Sequence, residues 1–494
     1  MDQWCRHSRR RRAELDGLPQ LHRTGHGRGR PVARGINSCP TPPSSSRSTP
    51  PPCRRWAARP SPPTTEIDTR IERAHNAFTS WRTDRTRRQG LLAACSYELM
   101  RKIPEIVPLL SMEQGKTAED AGGEIWISAK CFAHNARLDW DDVTPAPEAA
   151  GRTARIEHRP LGVVAAIVPW NFPIFLMVAK IAPALAAGNT VVVKPAESVS
   201  LVVGKVVEIL QSILPAGVIE IVHGGPDVGR ALVDHRRVRK VSFTGSTGVG
   251  RQIMRQAADT VTPVTLELGG NDPAVLLDDA DIDHAAAFLA KSAFFNSGQM
   301  CIAPKRAYVP AEKVDRFCDV FAAAMDTMPV GYGLAPGTKI GPLHNKAQLD
   351  FVQGLLDKAV AGGGTVVKGG GRGTDLPGYF LEPTLVRDVD DTADIVALEQ
   401  FGPVFPVVAY TDVDDVLATL DAQDFGLGAS VWGSVENAEK IADRIDAGSV
   451  WINQHNALEV ELPFGGVKSS GFGREGGTAG VHDFLDTRVV SIKR

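Results

Sequence analysis

The chain has 494 residues, 43% hydrophobic and 23% charged, which suits about three structural units of a globular protein that needs neither disulfides nor a structural metal. Its seven cysteines, at 5, 39, 53, 95, 131, 301 and 318, are odd in number and never spaced as CxxC; this argues against a disulfide framework and a metal site and fits a reducing, cytoplasmic compartment. The net charge of −2 hides 13 arginines and three acids in residues 1–63 against 42 basic and 54 acidic residues in the remainder, so the body is a poor binder of nucleic acid.

Residues 1–63 also hold 11 of the 34 prolines and show no apolar periodicity, which predicts disorder. A transit peptide, a nucleic-acid tail and a stretch with no folded role compete for this segment, and the last is favoured. Helical spacing begins at Ile67, with Ile71, Ala74, Phe78 and Trp81 on the same face. A second helix carries Leu91, Leu92, Cys95 and Leu99, a third begins near Pro104, and a fourth lies within 118–138.

From about 160 the pattern alternates. Residues 160–179 lack Asp, Glu, Lys and Arg, but Pro160, Pro169, Asn171 and Pro173 make them a poor membrane span. Gly162–Val168 reads as a strand, Pro173–Ala187 as a helix ending at Gly188, and Thr190–Val193 as a strand; Ser198 could cap a helix through Gln211. Val218–Val222, Lys240–Phe243 and Val264–Leu268 are further strands, with helices at 227–235 and from Gly245 to about Ala257 between them. This alternation implies right-handed crossovers and a parallel sheet covered on both faces. A second α/β stretch runs from Ile282 to about Ile445.

Several short segments could carry chemistry, and each has a plain structural alternative. Gly245 and Ser246 open a helix after a strand, where exposed amides favour phosphate; the glycines spell neither GxGxxG nor a P-loop, so a simple connection competes. Lys194 and Glu197 follow a strand end, where ligands gather, or are two solvated charges. Glu267 ends a strand among apolar neighbours, as a general base of raised pKa or a structural acid bonded to loop amides. Cys301 lies in a loop, as a nucleophile or a small buried hydrophobe. Asn171 could donate to an oxyanion, or form an Asx turn or helix cap. Glu399 is a further loop acid.

Taken in order, Trp170-Asn171, Lys194-Pro195-Ala196-Glu197, Phe243-Thr244-Gly245-Ser246, Glu267-Leu268-Gly269-Gly270, Gly298-Gln299-Met300-Cys301, Glu399-Gln400-Phe401-Gly402-Pro403 and Pro463-Phe464-Gly465-Gly466 resemble the NAD(P)-dependent aldehyde dehydrogenase superfamily, over residues 66–494. The resemblance implies an α/β fold with a Rossmann-type parallel-sheet cofactor domain (64–136 and 159–266), a second α/β catalytic domain (267–481) and a small β oligomerisation arm (137–158 and 482–494). It implies Cys301 as nucleophile, Asn171 and the Cys301 N–H as oxyanion donors, and Glu267 as the base that hydrolyses the thioester. Lys194 and Glu197 would meet the adenosine ribose, Ser246 the pyrophosphate and Glu399 the nicotinamide ribose. Trp170, Gly245, Leu268 and Phe401 also fall at cofactor-binding positions, and no metal is implied.

Glu267 favours hydrolysis over acyl transfer to coenzyme A, and Glu197 favours NAD over NADP by repelling a 2′-phosphate. A catalytically silent member of the fold and a coenzyme A-acylating semialdehyde dehydrogenase are the alternatives. A substrate entrance of Leu176, Ala179, Met300, Ile302, His455, Leu458 and Phe464 would suit an aliphatic or aromatic aldehyde. Thr487–Ile492 reads as an alternating strand that could pair with a partner subunit in a homodimer or homotetramer. The chain departs from the family at its start, where the Arg/Pro-rich segment replaces a short strand pair; residues 1–63 hold none of the matched motifs and are expected to be dispensable for catalysis.

Overall fold

Ile67, Ile71 and Ala74 are buried on helix α1 (Thr64–Trp81), because their spacing keeps them on one side of a 3.6-residue turn; Phe78 on the same face is half-buried. This computed structural model describes residues 64–146 and 151–493, and the disorder expected for residues 1–63 lies outside them. Helices α2 (Arg85–Arg101), α3 (Ile103–Gln114) and α4 (Ala118–Asn135) follow. Asp84 and Thr117 cap α2 and α4 by accepting from Arg87 N and Asp120 N, and Pro104 sits in the first turn of α3, where an N–H is not needed.

After two strands, β1 (Val143–Pro145) and β2 (Arg152–Pro160), the chain runs through β3 (Val163–Ile167), α5 (Pro173–Ala187), β4 (Thr190–Lys194), α6 (Ser200–Gln211), β5 (Ile219–Ile221), α7 (Pro226–Asp234), β6 (Val238–Thr244), α8 (Thr247–Ala258) and β7 (Val264–Glu267). The five strands from β3 to β7 are parallel, in the order β7-β6-β3-β4-β5. The chain therefore moves outward from β3 and restarts on the other side at β6, which opens a crevice at the carboxyl ends of those two strands. Val164, Ala166, Val191 and Val193 pack on one face, and Val163, Ala165, Ile167 and Val192 on the other. Burial on both faces is why these strands read as unbroken apolar runs. The charge-free stretch 160–179 is consumed by β3 and α5, and no helix among the described residues is long and apolar enough to cross a membrane.

The second α/β region comprises β8 (Asp272–Leu276), α9 (Ile282–Ala293), β9 (Pro304–Pro310), α10 (Val314–Met325), α11 (Lys346–Ala361), β10 (Thr365–Lys368), β11 (Thr384–Arg387), α12 (Asp394–Ala397), β12 (Val404–Tyr410), α13 (Val413–Ala422), β13 (Phe425–Gly426), β14 (Gly428–Trp432), α14 (Val435–Ala442) and β15 (Ser449–Ile452). Seven of its strands form one sheet, β10-β11-β12-β9-β8-β14-β15, parallel except for β10. It begins earlier than the expected Ile282, because Pro273 in the short β8 masks a buried strand. Strand β16 (Val467–Lys468) pairs with β13, and β17 (Gly471–Phe472) adds antiparallel to β7, so the first sheet takes its edge strand from far along the chain. Helix α15 (Gly477–His482) leads to β18 (Leu485–Lys493), which pairs with β2 from Leu485↔Pro160 to Lys493↔Arg152. β18 is an edge of the small sheet and exposes Val489 and Ile492.

Ser198 does not cap α6. It lies in a 3-10 turn at Glu197–Val199, and its Oγ meets His344 Nε2 at 2.6 Å. The first amides of α6, Leu201 N and Val202 N, donate instead to the Glu113 carboxylate at 3.0 and 2.7 Å.

Asn189 joins three parts of the fold. Its Oδ1 accepts from Gly162 N (2.8 Å), and its Nδ2 donates to Ala184 O (3.2 Å) and Phe484 O (2.9 Å). Asn189→Ala would leave these fully buried groups unpaired and is expected to destabilise the protein by about 2–4 kcal/mol, read as a lower urea midpoint.

Candidate active site

Cys301 follows a left-handed turn. Asn296, Ser297 and Gly298 have φ of 50°, 57° and 72°, a conformation that L side chains adopt with strain. Side chains and neighbours hold it there. Asn296 Nδ2 donates to Asn171 O and Gln299 O, both at 3.2 Å, and Ser297 Oγ to Gly341 O at 3.0 Å. A Cβ at Gly298 would fall on the Gly402 carbonyl, so only glycine fits. The loop reading of Cys301 holds; Cys301 is half-buried, whereas Cys95, Cys131 and Cys318 are buried.

Asn171 is neither a helix cap nor an Asx turn. Its Nδ2 donates to Gln299 O at 3.2 Å, which brings the amide to the Cys301 loop. Its carbonyl accepts from the Lys116 ammonium at 2.9 Å. Lys116 is paired with Glu124 at 2.5 Å, both side chains fully buried, and the ammonium lies 3.8 Å from the centre of the Phe172 ring. The other oxygen of Glu124 caps α5, accepting from Ile174 N (2.7 Å) and Phe175 N (3.1 Å). Neither Lys116 nor Glu124 was singled out in the sequence, where nothing separates them from surface charges of α4 and its approach.

Glu267 ends β7, is 3% exposed, and neither carboxylate oxygen has a hydrogen-bond partner in the protein. The bonds to loop amides that a structural role would need are missing. Burial, then the nearby Glu475, push its pKa well above the usual carboxylate range, against the pull of Lys180 and Arg474. Lys180 and Glu475 form a buried pair at 2.5 Å. Burial, with Glu399 and Asp272, pushes the Cys301 thiol up to about 12, opposed by Lys305 and further raised by Glu267. The thiol and the three carboxylates thus share one electrostatic neighbourhood.

The expected cofactor residues lie beyond the carboxyl ends of β3, β4, β6 and β7 or, for Glu399 and Phe401, just ahead of β12. Trp170 leaves β3, stacks on His344 at 4.4 Å and meets Phe401 edge-on at 5.5 Å. Phe401 has φ 53°, and its carbonyl accepts from Gln348 Nε2 at 3.1 Å. Gly245 leaves β6 and donates its N–H to Glu267 O at 3.0 Å; a Cβ there would strike the Phe243 ring. Ser246 is the N-cap of α8, accepting from Val249 N at 3.5 Å, and the space beside Gly248 is open. Lys194 is buried, and desolvation lowers its pKa while Glu197 raises it. Glu197 is exposed and lies against Gly225, where a Cβ would stand 3.1 Å from its Oε1. Leu268 is buried against Gly250 and its N–H goes to Ser470 O (2.9 Å), so only its carbonyl is left to meet a cofactor. Glu399 accepts from Gly270 N at 3.1 Å, and burial raises its pKa.

These residues fit a dinucleotide. An open helix N-terminus with a glycine that cannot bear a side chain suits a pyrophosphate. Among the described residues, no cluster of three or more metal-ligating side chains occurs. Two residues expected at the substrate entrance are structural instead. Ile302 is 2% and His455 3% exposed, and the imidazole bridges Ser430 Oγ (2.8 Å) and Ile302 O (3.0 Å). Burial pushes the pKa of His455 down to about 3, so it is neutral.

Lys116→Met would leave Glu124 buried without its countercharge and release Asn171. A loss of about 3–5 kcal/mol in stability is expected, seen as a lower melting temperature, together with a lower kcat in the fraction that folds.

Comparison with known proteins agrees with this geometry. The model of the aldehyde dehydrogenase family matches residues 51–490. A mitochondrial succinate-semialdehyde dehydrogenase of Arabidopsis thaliana is 37% identical over 436 residues, 87% of this chain and 82% of that protein. A glutarate-semialdehyde dehydrogenase of Pseudomonas putida is 36% identical over 87% of this chain and 90% of its own length. Among solved structures, an NADP-dependent enzyme of E. coli superposes with a TM-score of 0.84 at 34% identity, covering 87% of this chain and 91% of that one. Betaine aldehyde dehydrogenase of Staphylococcus aureus in complex with NAD+ also gives 0.84, at 30% identity and 87% coverage of each chain. The chain belongs to the aldehyde dehydrogenase family, with its α/β fold and NAD(P)-dependent chemistry.

Proposed function

We propose that this aldehyde dehydrogenase converts an uncharged, largely apolar aldehyde to its carboxylic acid through a covalent adduct on Cys301, and that water activated by Glu267 releases the product. The observation that carries this reading is the state of Glu267: a buried carboxyl group with no partner, electrostatically coupled to a thiol. It supports hydrolysis over transfer to coenzyme A and over a catalytically silent protein, neither of which needs an unpaired buried acid.

The residues divide the work. The Cys301 sulfur forms a bond to the aldehyde carbon, and the thiol proton leaves as it does so. The Asn171 amide and the Cys301 N–H hold the developing oxyanion, a contribution of about 2.7–4 kcal/mol per donor. When a dinucleotide is bound, its nicotinamide is the hydride acceptor of the oxidation. Glu267, once ionised, takes a proton from water, which attacks the Cys301 thioester and frees the acid. Lys194 and Glu197 would hold the adenosine ribose, Ser246 and Gly245 the pyrophosphate, and Glu399 the other ribose, with Trp170, Leu268 and Phe401 shaping the crevice. Exposed Glu197 favours NAD over NADP.

The substrate side is apolar. Phe172 and Phe295 stack at 5.9 Å, and Met300 and Phe464 pack on the Ile302, Leu427 and Trp451 cluster. No cation stands among the entrance residues to receive a carboxylate tail, which favours an uncharged aldehyde. A panel of aldehydes ranked by kcat/KM should place medium-chain aliphatic or aromatic aldehydes above succinate semialdehyde by at least about tenfold, the size expected for a lost charged contact; the reverse order would overturn the substrate assignment.

We also assign residues 64–136 and 159–266 to cofactor binding, 267–481 to catalysis, and 137–158 with 482–494 to an arm whose free β18 edge pairs subunits in a homodimer or homotetramer. All four described cysteines are free, which supports a reducing compartment such as the cytoplasm.

Cys301→Ala is expected to abolish turnover while leaving NAD affinity nearly unchanged. Glu267→Gln should keep a pre-steady-state burst of NADH while steady turnover falls by about 10²–10⁴. The raised pKa of Glu267 means that its base form accumulates only as pH rises. Steady turnover of the parent should therefore climb with pH as Glu267 ionises, and a stopped-flow comparison with Glu267→Gln should find that climb flattened. Loss of the burst along with turnover would show that Glu267 serves Cys301 rather than water.

A further inference from the structure

Lys305 has no part in the chemistry described so far, yet its ammonium is buried beneath the Cys301 loop. The side chain is 3% exposed. Its Nζ donates to Met300 O at 2.6 Å and Gly298 O at 3.4 Å, the carbonyls on either side of Gln299. The Phe401 ring lies 5.1 Å from the charge.

Its direction comes from a break in the sheet. Along the parallel pair of β8 and β9, Asp272 is opposite Pro304, but Pro273 is opposite Arg306. Lys305 is therefore the extra residue of a bulge, the device that re-aims a side chain out of the strand's alternation beside active sites. Asp272, across that break, is fully buried with neither carboxylate oxygen hydrogen-bonded. A buried ammonium and a buried carboxylate on neighbouring strands are each expensive without an opposite charge nearby. Glu399, then Asp272, favour the charged form of Lys305, and Lys305 in turn favours the anion of Asp272.

We propose that Lys305 is a positioning residue for the nucleophile: it ties the turn that carries Cys301 and supplies the positive charge against which the thiolate forms, with Glu399 and Asp272 as its buried counterweights. The groups that act on the Cys301 thiol are Glu399 ahead of β12, Asp272 on β8, Glu267 on β7 and Lys305 on β9. The three acids oppose ionisation of the sulfur and the lysine favours it. Removing the ammonium therefore disfavours the thiolate, and removing the Asp272 charge favours it.

The proposal rests on the reading of Cys301 as nucleophile, and its test does not depend on turnover. Alkylation of Cys301 by iodoacetamide, followed by peptide mass between pH 7 and 9.5, reports the thiolate. Lys305→Met should slow it at least about tenfold, equivalent to one pKa unit, and Lys305→Arg should restore it to within about threefold of the parent. Asp272→Asn should accelerate it, and the double variant should return toward the parent rate. Acceleration by Asp272→Asn follows from that carboxylate alone, so Lys305 itself is tested by the slowing in Lys305→Met, its rescue by Lys305→Arg and the compensation in the double variant; a merely structural lysine would give no compensation. If Lys305→Met does not fold, Lys305→Gln, which keeps a donor for Met300 O without the charge, is measured in its place, and a parent-like rate there overturns the proposal. A parent-like rate in Lys305→Met, or no acceleration in Asp272→Asn, overturns the proposal. Undiminished turnover by Cys301→Ala would instead overturn the nucleophile reading itself.

Discussion

The buried ammonium of Lys116 sets the relation between the two halves of the site. It is neutralised by Glu124 and bonded to the Asn171 carbonyl. Glu124 in turn caps α5, the helix that follows Asn171. The segment between β3 and α5 is thus held from both ends by one ion pair in a region without solvent. An ion pair so buried contributes little net stability, because desolvation offsets its attraction. What it contributes is direction: the Asn171 amide points to the Gln299 carbonyl rather than to its own backbone. An oxyanion donor is useful only when it is already oriented before charge develops.

The Cys301 turn depends on that segment and stabilises it in return. Three successive left-handed residues carry strain of roughly 1–3 kcal/mol each for the two that are not glycine. Asn296 offsets part of it by bonding the same Asn171 carbonyl that Lys116 holds. The two loops, more than a hundred residues apart in the chain, are therefore one hydrogen-bonded unit. Neither would keep its shape if the other were rebuilt, so the site tolerates change at its apolar entrance far more readily than at its polar floor.

Much of this was legible in the sequence, for physical reasons that differ by element. Strands buried on both faces announce themselves as apolar runs, and α5 ends where Gly188 adopts φ 98°, a position that glycine takes without strain. Residues adjacent in sequence to such boundaries, Trp170-Asn171 after β3 and Gly245-Ser246 after β6, could be placed at the sheet's crevice because strand ends are local features. Strand β8 was obscured by a proline that is harmless at the start of a strand. Ser198 has the chemistry of a cap, but Glu113 from a distant helix took that place. Lys116, Glu124, Lys180, Glu475 and Lys305 were invisible for a common reason. A charged residue in a sequence looks solvated, and only the tertiary fold shows that its partner is buried with it. His455 and Ile302 erred in the opposite sense, since proximity to a motif does not say which side of the chain faces the opening.

The electrostatics of the floor explain why so many charges are buried there. Glu267, Glu399 and Asp272 all have raised pKa values because burial disfavours their anions. Each is therefore easier to protonate than a surface acid, and the thiol among them is harder to ionise than a free cysteine. Burial thus biases the site toward its uncharged forms, the thiol as well as the acids. Any positive charge brought close changes both states together, because the thiol and the acids share one low-dielectric region where a charge acts strongly. Burial of the acids thus ties the ionisation of Cys301 to the charges around it, Lys305 among them.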